Sequence, residues 1–305
     1  MPKVSVVIPT YNYGRYISKA IDSVLSQTFK DFEIIVIDDG STDGTKDLPA
    51  QYGNKIKYIY QENHGLSNAR NRGIKASSGE YLVFLDADDY ISPQKLETET
   101  KLLDAHPEVG WSYSNHYYVD ENGIILYGFS YQFHKSNSRP PEGMIFKDLL
   151  LNNFIPVNAV MLRKKCLDAG FFDESLGNQG YEDCAFWLRV SAKYEVKYID
   201  QPLAFIRLHK GSMREDVVGM VSNKIIVIRK ICKLYPDLTR PYTSRLKAIL
   251  AGFYNQVAHK NYEERRFKES ISELLNSIRY RPIQKTAYLY LISALLKSLG
   301  KKSND

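Results

Sequence analysis

The sequence predicts an α/β protein, a mixed sheet flanked by helices and followed by a C-terminal helical extension. Three observations carry that expectation. Short β-branched runs alternate with helically spaced segments through the first half. Those runs are continuously apolar and end in polar, often acidic, residues, as buried parallel strands do. From about Met220 the strand signals stop and only helical periodicity remains.

Val4–Ile8 opens into Pro9-Thr10-Tyr11-Asn12 and reads as a buried strand. Tyr16, Ile17, Ala20, Ile21, Val24 and Leu25 then recur at helical spacing. Glu33 to Ile37 is a second strand, ended by Asp38-Asp39-Gly40-Ser41-Thr42-Asp43-Gly44, and Ile56–Tyr60 is a third. Leu66–Ala76 is a helix carrying polar Asn68, Arg70 and Asn71; Tyr81–Leu85 is the strand that delivers Asp86-Ala87-Asp88-Asp89. After a helix at about Pro93–Ala105, Val109–Val119 and Ile124–Ser130 flank Asp120-Glu121-Asn122-Gly123 as an antiparallel hairpin. Tyr131 to Gly143 is polar, holds paired prolines and reads as a mobile loop. Ala159–Arg163 is a strand, Glu182–Lys193 an amphipathic helix, and Val196–Asp200 and Leu203–Leu208 two short strands. The later helices break at Pro236, Pro241 and Pro282. Tyr254–Pro282 looks like half a tetratricopeptide unit, but a lone unit cannot bury its own face, so no repeat array is expected.

At 305 residues the chain suits one large domain and a smaller one. Three cysteines with no Cys-x-x-Cys spacing suit reduced thiols rather than a disulfide frame or zinc site. The N-terminus is too short in apolar residues for a cleaved signal, and Ala287 to Leu296 falls far short of a bilayer span. A cytoplasmic location is expected, with peripheral contact at the inner face of the cell membrane left open. Asp216 to Asp305 holds 17 basic and 7 acidic residues, a balance of +10, whereas the rest of the chain stands at −4. The basic helices read as a docking element or as a helical cap with a solvated face. No nucleic-acid reader module is present, so nucleic acid is not an expected partner.

The chemistry gathers at strand ends. Asp86, Asp88 and Asp89 repel one another, and a divalent cation, Mn²⁺ or Mg²⁺, relieves that repulsion while leaving positions for phosphate oxygens. An acidic turn capping the next helix is the bland alternative. Asp38-Asp39 ends a neighbouring strand, so both clusters are expected on one sheet edge, where nucleotides bind. No P-loop or Gly-x-Gly-x-x-Gly turn occurs, and a metal-bridged diphosphate fits better.

Several stretches, in order, resemble the family 2 glycosyltransferases of GT-A fold, a Rossmann-like plan for nucleotide-sugars. They are Val4–Asn12, Ser26–Glu33, Asp38–Asp43 and Phe84–Asp89. The likeness covers roughly residues 1–215, taken as the catalytic domain, with 216–305 as the extension. It implies an inverting, metal-dependent transferase that moves a hexose or N-acetylhexosamine from a UDP-sugar to a hydroxyl of a glycan or lipid-linked acceptor, in cell-surface polysaccharide synthesis. By that resemblance Asp39 accepts from the base's ring N–H, with Pro9, Thr10 and Tyr11 around the base. Asp38 helps hold base or ribose, and Asn68, Arg70, Asp86 and Ala87 belong to the donor site. Arg70 pairs with phosphate or Asp86, Asp88 ligates the metal, and His209 lies near metal or diphosphate. Lys210 and Arg214 are placed to close over phosphates. Asp183, at the start of a helix bearing Trp187 and Arg189, is the implied general base, with Glu182 as the fallback; helix capping is the competing reading for both. Trp111 and Trp187 are expected as core or sugar-platform residues. A non-catalytic sugar-binding scaffold and a sugar-1-phosphate nucleotidyltransferase are the alternatives.

Overall fold

The computed structural model describes residues 1–128, 139–177, 179–212 and 216–300. Residues 129–130 of the predicted hairpin, 131–138 of the predicted loop, and Arg214 lie outside the described residues. The chain forms two compact units, Met1–Asn178 with Glu182–Ser212, and Gln179–Tyr181 with Met213–Asp305.

The first unit is built on a nine-stranded sheet. Strands β1 (Val4–Thr10), β2 (Phe32–Asp39), β3 (Lys57–Gln61) and β4 (Tyr81–Phe84) form its parallel half, in the order β3-β2-β1-β4. Every residue of β1 and β4 is buried, which is why these runs lack the alternation of a one-sided strand. Beyond β4 the order continues β8-β6-β9-β5, with β5 (Tyr90–Ile91), β6 (Trp111–Val119), β8 (Val160–Arg163) and β9 (Val196–Arg207); β7 (Ile125–Gly128) pairs with β6. β8 runs antiparallel to both β4 and β6, and β9 runs parallel to β6. The C-terminal ends of β1, β2, β3, β4, β6 and β9 therefore emerge on one edge.

Helices α1 (Gly14–Leu25), α2 (Leu48–Tyr52), α3 (Leu66–Ala76), α4 (Lys95–Ala105), α5 (Phe146–Leu151) and α6 (Glu182–Ser191) belong to this unit. α1 buries Ile17, Ala20, Ile21 and Val24, its helically spaced residues. α6 is seated by Trp187, whose ring stacks on Trp111 of β6 at 5.6 Å. Both indoles are fully buried, which makes them core residues rather than sugar platforms.

Three departures from the sequence reading have local causes. The strands expected at 196–200 and 203–208 are one strand, because β6 pairs Ser114 with Ile199 and then Asn115 with Pro202, bulging out Asp200 and Gln201. Polar residues at a bulge, followed by a proline with no N–H, look like a break in the sequence. α2, α5 and β5 are two to six residues long, too short to show a period. The helix expected from Pro93 begins at Lys95.

The second unit holds α7 (Val217–Leu234), α8 (Pro236–Thr239), α9 (Thr243–Glu263), α10 (Phe267–Tyr280) and α11 (Lys285–Gly300). Asp216 caps α7 by accepting from the Gly219 N–H at 2.8 Å. Small residues let the later helices approach closely: Ser270 and Ser277 of α10 donate to the Ala258 and Ala251 carbonyls of α9. Ala258, Leu274 and Ala287 form the core shared by α9, α10 and α11. No helix among the described residues is long and apolar enough to cross a membrane.

Helix α3 carries site residues and sits on β1 through Gly73. A Cβ there would meet Val7 Cγ1 at 2.2 Å. Gly73→Ala should therefore destabilise the protein by about 1–3 kcal/mol despite alanine's better helix propensity. A urea midpoint at or above that of the wild type would contradict this account.

Candidate active site

The common strand edge collects the acidic residues, and the protein treats them differently. Asp38 is fully buried; its Oδ1 accepts from the Ser41 N–H at 2.8 Å and its Oδ2 from the Tyr58 hydroxyl. Asp39 is 3% exposed, accepting at Oδ1 from Gln61 Nε2 (2.6 Å) and the His64 N–H (2.9 Å) and at Oδ2 from the Gly65 N–H (2.8 Å). The Asp39 carboxylate thus shapes the 61–65 turn that leads into α3. Thr10 ends β1 opposite Asp38, and its buried Oγ1 has no hydrogen-bond partner among the described residues. Pro9 is buried beside it, and Tyr11 is exposed at the rim.

Asp86, Ala87, Asp88 and Asp89 follow β4 as a turn. Asp89 accepts from the Arg207 N–H at 2.6 Å and from the Asn158 amide, and burial, with Asp88 and Asp86 next in weight, pushes its carboxyl well above the usual range. Asp86 pairs with Arg70 at 2.6 Å; burial raises its pKa even though the guanidinium opposes the shift. Ala87 is buried between them. Asp88, with a side chain 18% exposed against 27% for Asp86, is the part-exposed carboxylate of the turn that no guanidinium pairs. Its Oδ2 lies 2.9 Å from His209 Nε2, while His209 Nδ1 lies 2.8 Å from the Lys210 carbonyl. Both ring nitrogens thus face acceptors, and the hydrogen bond to Asp88 raises the imidazole pKa. Tyr13 and Tyr16 flank the ring at 5.9 and 5.0 Å.

Arg70 joins this turn to α6. Its side chain is 1% exposed and bridges Asp86 Oδ1 at 2.6 Å and Glu182 Oε1 at 2.5 Å, with its Cζ 5.2 Å from the Phe172 ring centroid. The ion pair with Asp86 is one of the two roles the sequence left open to Arg70. Glu182, the fallback base, is buried in the same bridge. Its neighbour Asp183 is part-exposed and accepts from the Cys184 N–H at 2.6 Å. Burial and the Glu182 charge push the Asp183 carboxyl up to about 7, with Arg70 pulling the other way. The chain enters α6 through Gly180 and Tyr181, both left-handed at φ 77° and 75°; a tyrosine there is strained.

Asn68 and Asn71 of α3 both donate to Glu174, at 2.9 and 2.7 Å, and Asn71 also binds the Phe172 backbone at 2.9 and 3.0 Å. They pin the segment before α6 onto α3. The sequence reading missed Asn158, Gln61 and the positioning role of Arg207. Arg207 donates through Nε to the Asp88 carbonyl at 2.9 Å and through Nη1 to the Glu121 carbonyl at 2.5 Å. Gln61 was accessible as the end of the strand next to Asp39; Asn158 had no local signal.

Among the described residues, no group of three or more His, Cys, Asp and Glu side chains is arranged to hold a metal. The donors at the turn that are not paired with Arg70 and lie side by side are one carboxylate, Asp88, and one imidazole, His209. That pair fits a hard-to-borderline cation whose other positions are filled by phosphate and water. The Lys210 carbonyl holds the Nδ1–H tautomer and leaves Nε2 free to ligate once deprotonated.

Comparison with known proteins decides the family. The profile "Glycosyl transferase family 2" matches residues 5–168. The chain belongs to glycosyltransferase family 2. A relative from Rickettsia typhi, an uncharacterized glycosyltransferase, is 35% identical over 284 residues, covering 86% of this chain and 83% of its own. TuaG of Bacillus subtilis, a glycosyltransferase provisionally assigned to teichuronic acid biosynthesis, is 30% identical over 239 residues, covering 77% of this chain and 90% of its own. The Rickettsia felis glycosyltransferase is 29% identical across 96% of this chain, which spans about half (47%) of that relative's length. Among solved structures, S. aureus TarS 1-349 in complex with UDP-GlcNAc superposes with a TM-score of 0.67 at 21% identity, covering 97% of this chain and 88% of that one. The fold is the GT-A glycosyltransferase fold, as the family 2 motifs imply.

Arg70→Ala would leave Asp86 and Glu182 facing each other without a cation. Removing one partner of such a buried bridge costs about 3–5 kcal/mol. Chemical denaturation should show that loss, and a variant as stable as the wild type would show the bridge to be dispensable.

Proposed function

We propose that this chain is an inverting glycosyltransferase that moves a hexose or N-acetylhexosamine from a UDP-sugar to a hydroxyl of a glycan or lipid-linked acceptor in cell-surface polysaccharide synthesis. The observation that carries the reading is Asp183. It is a part-exposed carboxylate pushed up to about 7, next in the chain to Glu182, whose Arg70 partner holds the Asp-x-Asp turn with its other arm. A general base works best with a pKa near the operating pH. The names of TuaG and of TarS in complex with UDP-GlcNAc support the polysaccharide context and the donor class.

In the proposed reaction the acceptor hydroxyl oxygen attacks C1 of the donor sugar. The C1–O bond to the diphosphate breaks with its electron pair leaving on UDP, and the hydroxyl proton passes to Asp183. Attack opposite the leaving group inverts C1. Thr10 Oγ1, buried and without a partner among the described residues, supplies a hydrogen-bonding position at the base end of the site. Asp39 is proposed to take the uracil N–H on its remaining lone pair, while Asp38 acts through the fold, since its carboxylate is bound to Ser41 and Tyr58. Asp88 and His209 would hold a Mn²⁺ or Mg²⁺ ion. When bound, that ion stabilises the negative charge developing on the leaving diphosphate.

Asp183→Asn should leave UDP binding intact and lower turnover by roughly 10²–10⁴. Wild-type kcat/KM should fall as pH drops below about 7, because a protonated Asp183 carboxyl is too weak a base to take the acceptor's proton. Retained turnover in the variant would remove Asp183 from the mechanism. For the donor and metal, melting curves with UDP, GDP, dTDP and CDP, each with and without Mn²⁺, are the direct test. Saturating ligand at about 100 times its Kd adds roughly 2.7 kcal/mol. A UDP shift that needs Mn²⁺ and vanishes in Asp88→Ala is expected. A shift with another nucleotide would reassign the base pocket, and no shift at all would favour a non-catalytic scaffold.

A further inference from the structure

Helix α11 carries an apolar face that the described residues leave in solvent. Its inner side is Ala287 and Ala294, both buried, with Ala287 in the small core formed with α9 and α10. On the outer side Tyr288, Leu289, Ile292, Leu295, Leu296 and Leu299 are 43–66% exposed. Tyr288, Ile292, Leu295 and Leu299 follow the three-four spacing of one helix face, and Leu289 and Leu296 widen the same stripe. A continuous exposed stripe of this kind marks a docking surface.

Charge identifies the occupant. From Arg279 to Gly300 the chain has four basic residues, Arg279, Arg281, Lys285 and Lys297, and no acidic one; in the sequence Lys301, Lys302 and Asp305 follow. Lys297 does not interrupt the stripe, because its Nζ sits 4.5 Å from the Tyr262 ring centroid of α9. A second copy of the chain would bring lysines against lysines around a leucine seam. An anionic lipid surface would instead neutralise them while its acyl boundary takes up the leucines. The helix has 16 residues, about 24 Å at 1.5 Å per residue, short of the ≈30 Å hydrocarbon core. We propose that α11 lies in the plane of an anionic bilayer surface, with its Tyr288–Leu299 stripe in the headgroup–acyl boundary and its flanking basic residues among the headgroups. This inference is independent of the catalytic reading.

The test is co-sedimentation of the full chain with vesicles of phosphatidylcholine alone and of phosphatidylcholine mixed with phosphatidylglycerol. Binding to the phosphatidylglycerol vesicles, weakened by added salt, is expected. Leu289→Gln with Leu296→Gln should weaken it by about tenfold per leucine. Arg281→Gln with Lys285→Gln should weaken it by roughly fivefold per charge. All four side chains are exposed, and unchanged circular dichroism and melting temperature would show that the variants fold. Failure to pellet with phosphatidylglycerol vesicles, or pelleting indifferent to the leucine replacements, overturns the proposal. So does a concentration-dependent dimer, seen by sedimentation velocity, that the leucine replacements dissolve while lipid binding is absent; the face would then belong to a second copy.

Discussion

The site is organised around one buried guanidinium. A fully buried arginine is tolerable only with carboxylates on its fork, and Arg70 takes one from the turn after β4 and one from the first residue of α6. Those two elements are far apart in sequence: Arg70 meets Asp86 16 positions on and Glu182 112 positions on. The bridge fixes the start of α6 against the Asp-x-Asp turn, and the Trp111–Trp187 stack fixes the rest of that helix against the sheet. Two carboxylates against one cation leave a net negative charge. That surplus, together with burial, is what raises Asp183.

The acidic cluster that stands out in the sequence is therefore not a pool of equivalent ligands. Asp38 and Asp39 hold turns, Asp89 is clamped by Asn158 and Arg207, and Asp86 is paired. Pairing and burial, not residue type, separate these from Asp88 and Asp183; Asp86 is no less accessible than Asp88, but its carboxylate is held by Arg70. Repulsion among the three aspartates after β4 is relieved largely by the protein itself, through Arg70 and the raised pKa of Asp89. The argument for a cation accordingly rests on the Asp88–His209 pair rather than on acidic crowding.

The parallel half of the sheet was legible because buried parallel strands are continuous apolar runs, and Val4–Ile8 or Tyr81–Leu85 admit little else. The site residues were legible as strand ends for the same reason. Partnerships were not: nothing near Glu182 in the sequence marks it as the second ligand of Arg70, because a helix-start glutamate has a sufficient local explanation as a cap. Asn158 and Arg207 act through Asp89 and the Asp88 backbone, contacts 69 and 118–119 residues apart in sequence. Such contacts leave no periodicity to read. The bulge at Asp200–Gln201 shows the converse, a local polar break that the longer-range pairing of β6 with β9 overrides.

The bulge also explains how His209 reaches Asp88. β9 runs parallel to β6 for its whole length, so its end emerges on the same edge as β1, β2 and β4. A strand broken at Pro202 would be free to leave the sheet there. Carrying the pairing past the bulge, from Pro202 to Arg207, delivers Arg207 to the Asp88 carbonyl and, two residues on, His209 to the Asp88 carboxylate. The mixed half of the sheet beyond β4 is thus the part that turns a strand-edge cluster of acids into a two-donor pair.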